Sequence, residues 1–127
     1  MSHDDLADLA GDLDKAAEKV HAETRKVVSK GALNIKRDWR QKWHRDLDLY
    51  ARRLYLSVGY DLTSTPTTES AQIGPDADND RMQGPLGGII EYGSVNNAPI
   101  PAGRPALEKE TPKFERALAK MAERLLS

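Results

Sequence analysis

Asp76-Ala-Asp-Asn-Asp80 sets carboxylates at the first, third and fifth places of a calcium-binding loop. The pattern then breaks. Arg81 stands where such a loop needs glycine for its sharp turn, and Gly87 stands where it needs a bidentate glutamate. A solvated loop fits these residues better. His3, His21 and His44 lie far apart, and none has the His-Glu-x-x-His spacing that sets two imidazoles on one helical face, so they read as surface histidines. Gly84, Gly87, Gly88 and Gly93 lack the lysine and the strand-glycine-helix order of a phosphate loop, and read as turn and close-packing glycines. Glu91 has the chemistry of a general base, but the sequence offers it no partner acid, and a solvated or backbone-capping glutamate fits better. The reading therefore assigns no catalytic residue, no metal and no cofactor, and expects a non-enzymatic protein.

The basic stretch Lys36-Arg-Asp-Trp-Arg-Gln-Lys-Trp-His-Arg45 supports two readings. Trp39 and Trp43 share a helical face with Ile35 on the same stripe, which suits a core or subunit-facing seam flanked by solvated Lys and Arg. Alternatively Arg37, Arg40, Lys42 and Arg45 face DNA phosphates or an acidic partner. Phosphate contacts need only charge and reach, so the residue types permit them.

These residues need elements to position them. From Asp4 to about Arg45, Leu6, Leu9, Leu13, Ala16 or Ala17, Val20, Val27 or Val28, Ile35, Trp39 and Trp43 recur at helical spacing without a proline. Gly11 and Gly31 each weaken such a helix by about 1 kcal/mol relative to Ala. The expectation is one long helix, bent or frayed, or two helices meeting near Gly31. Leu54 to Thr63 alternates apolar and polar residues as a strand does. Ser64-Thr-Pro-Thr-Thr68 is a turn, and Glu69 to Ile73 is a second strand closed by Gly74-Pro75, giving an antiparallel hairpin. A hairpin is marginal alone and must pack on a helix or another chain.

After the polar loop from Asp76 to Pro85, Leu86 to Tyr92 is expected to form one or two helical turns ended by Gly93. Pro99 and Pro101 hold the next segment extended. Pro105 suits the first turn of a last helix whose seam is Leu107, Thr111, Phe114, Leu118, Met121 and Leu125. Pro112 either kinks that helix or starts its main part with Thr111 as N-cap.

The expected class is α+β: a long N-terminal helix, a small antiparallel sheet, a short helix and a C-terminal helix. Residues 1–127 read as a single domain. Within it, residues 1–30 form a helical extension that can order on assembly, and residues 31–127 form the globular part. The expected core is Ile35, Trp39, Leu54, Leu56, Val58, Ile73, Ile89, Ile90, Leu107, Phe114, Leu118 and Met121.

Composition agrees with a modest core. The 127 residues are 39% hydrophobic and 6% aromatic. The absence of cysteine excludes a disulfide framework and thiolate metal sites, and suits synthesis in a reducing cytoplasm. No apolar run approaches the roughly 18 residues of a membrane span, so no membrane partner is expected. The net charge of −1 conceals segregation. Residues 1–18 carry six acids against Lys15, a net −5. Residues 19–53 carry eleven basic residues against Glu23, Asp38, Asp46 and Asp48, a net +7, and the remainder is −3. Such a segment meets an acidic surface locally without making the chain a general nucleic-acid binder.

The segment Gly87 to Leu107 is a shaped loop between two packed pieces, and such loops serve binding or assembly. With its neighbours it also carries a resemblance. In order along the chain stand the charged N-terminal helix, the hairpin, Ile73-Gly-Pro-Asp76, Gln83-Gly-Pro-Leu-Gly-Gly-Ile-Ile-Glu-Tyr-Gly93, Asn97-Ala-Pro-Ile-Pro101 and Arg104-Pro-Ala-Leu107. Together they resemble the tail-completion, or head–tail joining, proteins of long-tailed double-stranded DNA phages, over about residues 20–125. Where many members carry a Pro-Val-Asp-Thr-Gly-like turn after the first helix, this chain has Asp46-Leu-Asp-Leu-Tyr-Ala-Arg-Arg53.

The resemblance implies a virion structural protein of the neck, made in the host cytoplasm. It implies a homo-oligomeric ring, a hexamer by the usual symmetry of tails, between the head-side connector or stopper and the tail terminator or tail tube. Contact with DNA in the channel would be non-specific. The assembly interface is then expected at Glu91, Tyr92, Gly93, Pro99, Pro101 and Arg104. The alternative is a small helical nucleic-acid-binding module.

Overall fold

The computed structural model describes residues 3–47, 51, 53–76, 78, 82–93 and 99–126. Its elements are helix α1 (His3–Asp46), a 3-10 turn (Leu54–Ser57), strands β1 (Val58–Ser64) and β2 (Glu69–Pro75), a second 3-10 turn (Gly84–Leu86), helix α2 (Gly87–Tyr92) and helix α3 (Gly103–Leu126). This is the α+β arrangement expected from the sequence.

Helix α1 is one continuous element of 44 residues, about 66 Å long at 1.5 Å per residue. Asp4 and Asp5 in its first turn and His44 and Arg45 in its last complement the helix dipole. Gly31 does not break it. A Cβ there would lie 3.2 Å from the Phe114 ring, so this glycine lets α3 approach closely. Helix α3 lies antiparallel to α1: Lys109 pairs with Asp38, Asn34 donates to Glu110, and Arg124 pairs with Glu23. The covered part of α1 therefore ends near Glu23. Residues 4–20 are exposed on every side, about 25 Å of helix without a neighbour among the described residues.

The two strands pair antiparallel, with Tyr60 opposite Ile73 and Leu62 opposite Ala71. Val58, Tyr60 and Leu62 share one face with Ile73 and Ala71, and that face is the more buried, packed on α1. Lys36 of α1 lies over the Tyr60 ring, 5.7 Å from its centroid. The opposite face shows Asp61, Thr63, Ser70 and Gln72 to solvent. The hairpin turn is closed by Thr65, whose N–H donates to the Thr68 carbonyl at 2.9 Å and whose hydroxyl accepts from the Thr68 N–H at 3.0 Å.

The core gathers Trp43, Ala51, Leu54, Val58 and Ala102, flanked by Trp39, Ile73, Ile90 and Ile100. Three expectations need correction. First, residues 54–57 form a 3-10 turn and not the start of a strand. A repeat of three turns Leu54 and Ser57 inward together and leaves Leu56 38% exposed, outside the core.

Second, Leu107 is 53% exposed. The buried line of α3 begins with Gly103, Ala106 and Glu110, one position back from the expected seam, because small residues let the helix close on α1. Third, Trp43, absent from the expected core, is fully buried. Ile89 lies outside the described side chains.

Helix α3 passes through Pro112 and starts at Gly103, so Thr111 is no N-cap. Its hydroxyl instead donates to the Leu107 carbonyl at 2.7 Å. Pro112 is exposed, so the Glu108 carbonyl that loses an N–H partner lies where water can reach it.

Candidate functional site

The segment from α2 to α3 is braced from inside. Helix α3 begins with Ala102 and Gly103, neither of which has a side chain able to cap it, so its first N–H groups need another acceptor. Glu91, at the end of α2, supplies it. Its carboxylate accepts from the N–H groups of Ala102 (2.8 Å), Gly103 and Arg104 (3.3 Å). A buried anion at a helix N-terminus meets both the donors and the positive end of the dipole. Glu91, expected at the assembly interface, is only 7% exposed in this chain and holds the segment together from within.

Two further bonds fix the extended stretch. The Ile100 N–H donates to the Ile90 carbonyl at 2.7 Å, and the Ile100 carbonyl accepts from the Trp43 indole N–H at 2.9 Å. The Trp39 ring stacks edge-on against Trp43, with centroids 5.5 Å apart, and abuts Gly103, where a Cβ would overlap it. Its own indole nitrogen is buried without a partner among the described residues. Gly93 has φ 81°, the left-handed conformation expected of a helix-ending glycine. On the far side of α2, a Cβ on Gly87 would overlap the Pro75 ring, so α2 sits directly on β2.

What this bracing leaves outside is apolar and aromatic. Tyr92 is 83% exposed, and Pro99, Pro101 and Leu107 are exposed as well. Arg104 is exposed and pairs with Glu108 one helical turn on, at 3.1 Å. Beside Tyr92 opens a groove of about 860 Å³, walled by Trp39, Tyr60, Pro75 and Gly88 and edged by Asp61 and Asp76. Residues 94–98, with Asn97 of the Asn-Ala-Pro motif, lie outside the described residues.

The four basic residues do not make one face. At 100° per residue they spread over more than half of the helix circumference. Arg40 turns inward over the hairpin, donating from Nε to the Val58 carbonyl (2.7 Å) and from Nη2 to the Leu56 carbonyl (3.2 Å). It fastens α1 to the strand start. Lys42 and Arg45 line a shallow cleft with Asp38, Lys109 and Pro105. Arg45 is held by Asp46 at 2.9 Å; their hydrogen bond pushes the guanidinium pKa up and the carboxyl pKa down. Arg37 is exposed and lies in neither group.

The chemistry-bearing residues stay apart. Asp76 accepts from the Asp78 N–H at 2.9 Å in a local turn, while residues 77 and 79–81 of the calcium-like loop lie outside the described residues. His21 bonds Glu69, and His44 stacks on Tyr55. No group of three or more possible metal-binding side chains occurs among the described residues. No described helix is long and apolar enough to cross a membrane.

Sequence reasoning offered capping as one reading of Glu91 and a core or subunit-facing seam for Trp43, but did not identify the donors Glu91 takes or place Trp43 at the centre of the core. The signal for Glu91 was an uncapped helix start at Ala102-Gly103 that demanded an acceptor from elsewhere. Comparison with protein-family models, with curated proteins and with solved structures finds no match.

Proposed function

We propose that this chain is a non-enzymatic virion part: a ring-forming component of a phage neck that joins the tail to the DNA-filled head. The observation that carries the reading is the braced segment from α2 to α3. Its buried carboxylate, Glu91, is engaged internally, and its outward residues among those described include Tyr92, Pro99, Pro101, Arg104 and Leu107. Exposed aromatic and apolar groups beside a hydrogen-bonded helix start suit contact with another protein, because Tyr and Pro lose little conformational entropy when they are buried. The order of motifs from Ile73 to Leu107 supports the same reading through the resemblance it carries.

In this proposal the segment contacts a neighbouring subunit or the adjoining neck ring, in a hexamer between the head-side connector or stopper and the tail terminator or tail tube. Contact with DNA is non-specific and falls to Arg37, Lys42 and Arg45, since Arg40 is engaged with the hairpin. Mass spectrometry of purified particles tests the proposal. The chain is expected in intact, tailed particles at a few copies each; its absence from them overturns the reading. A free nucleic-acid-binding module would instead shift duplex DNA as a monomer at low salt and lose affinity steeply as salt rises.

A further inference from the structure

The exposed half of α1 has the wrong surface for a helix that remains in water. Leu6, Leu9, Leu13 and Val20 are 53%, 47%, 63% and 46% exposed, and their spacings of three, four and seven residues set them along one stripe. Asp8 and Asp12 lie one helical turn apart along the flank of that stripe, within the segment of net charge −5. An acidic helix with an aliphatic stripe calls for a groove that is aliphatic within and cationic at its rim.

The same chain carries such a groove. Further along α1, where the helix passes Leu62 of β1, lies a depression of about 770 Å³. Ala22, Leu33 and Leu62 give it an apolar lining, and Arg25, Lys26 and Lys30 outnumber the one lining carboxylate, Glu18, so its rim is net cationic. Lys26 is shared with Glu23 at 3.3 Å, while Arg25 and Lys30 have no ion pair among the described residues. A continuous helix cannot fold back onto its own flank, so the acidic half of one molecule reaches only the groove of another.

From this complementarity we infer that the acidic N-terminal half of α1 docks in the basic, aliphatic groove between α1 and β1 of a second copy of this chain. Each copy has one helix and one groove, and the ring reading requires that they pair head-to-tail and not reciprocally in a two-fold dimer. A head-to-tail contact forms a ring where its rotation closes and a filament where it does not. The inference deepens the ring reading and rests on it for closure.

The test uses the full chain. Leu9→Ser with Leu13→Ser disables the helix, and Arg25→Glu with Lys30→Glu disables the groove. All four side chains are exposed or border solvent, so circular dichroism and thermal melting should match wild type. Sedimentation over a wide concentration range should show wild type associating beyond a dimer, with each double variant weakened at least about tenfold. An equimolar mixture of the two variants retains one intact helix and one intact groove per pair. It should form a heterodimer and nothing larger.

Wild type that stays monomeric throughout, a variant that associates as wild type does, or a mixture without heterodimer overturns the inference. The neck reading fails separately. A chain absent from particles sinks that reading while leaving the solution contact standing. A chain present in particles, with variants that assemble normally, sinks only this contact.

Discussion

The two ends of α1 meet opposite fates. Near residue 40, one helix face is crowded: Trp43 is fully buried, Trp39 presses on Gly103, and Arg40 binds two carbonyls of the turn and strand below it. Near residue 10, the same helix has leucines in solvent and no packed element beside it among the described residues. The contrast separates two uses of apolar residues. In the first region they hold the fold, and in the second they are a surface in waiting. Substitutions in the first should therefore cost stability, and substitutions in the second should cost association.

The largest effect is expected at Trp43. Trp43→Ala empties the centre of the core and leaves the Ile100 carbonyl without its donor, at a cost of about 3–5 kcal/mol in chemical denaturation. Native-like stability would show that the core lies elsewhere. Next comes Glu91→Ala, which strips the acceptor from three N–H groups at the start of α3 and should cost about 2 kcal/mol. Glu91→Gln keeps one acceptor oxygen and should recover part of the loss. Equal loss in the two variants would argue against the capping role.

Gly103→Ala drives a methyl into the Trp39 ring and should cost about 1–3 kcal/mol, with a change in tryptophan fluorescence that marks the shifted indole. By contrast, Leu13→Ser should leave the unfolding free energy within about 0.5 kcal/mol of wild type. A large loss there would mean that the N-terminal half belongs to the folding unit and erase the contrast.

The smallest effect concerns Arg45 and Asp46. The hydrogen bond lowers the Asp46 pKa in the folded state, so the pair's contribution is present above the ordinary carboxylate range and lost as pH falls through the folded value. Both side chains are solvated, so the contribution is slight. Asp46→Asn should melt marginally below wild type at neutral pH and together with it in strong acid. A gap that widens in acid would reverse the sign.

How much of this was legible in the sequence follows the range of each interaction. The hairpin, its threonine-rich turn, the helix-ending Gly93 and the early Pro105 were legible because each depends on neighbours a few residues away. The 3-10 turn at 54–57 was not, since Leu54 and Leu56 fit an alternating strand as well as they fit a tight turn entering one. The one-position shift of the α3 seam came from close contacts with α1, such as Gly103 against Trp39, which no local pattern encodes. Of the site, Pro99 and Pro101 were legible as extended-segment residues, and Tyr92 and Arg104 stand out from their motifs at the end of α2 and the start of α3. Glu91 was read as a surface group because its three donors lie eleven to thirteen residues on, and Arg40 because its acceptors are backbone carbonyls sixteen and eighteen residues away.

The most direct test of the central claim is to replace Tyr92 with Ala and measure melting temperature and particle yield together. Tyr92 is 83% exposed, so its loss should leave the melting temperature almost unchanged. If the braced segment is an assembly surface, the yield of tailed particles should fall sharply while the folded protein accumulates unassembled. Wild-type yield with an unchanged melting temperature would contradict the account.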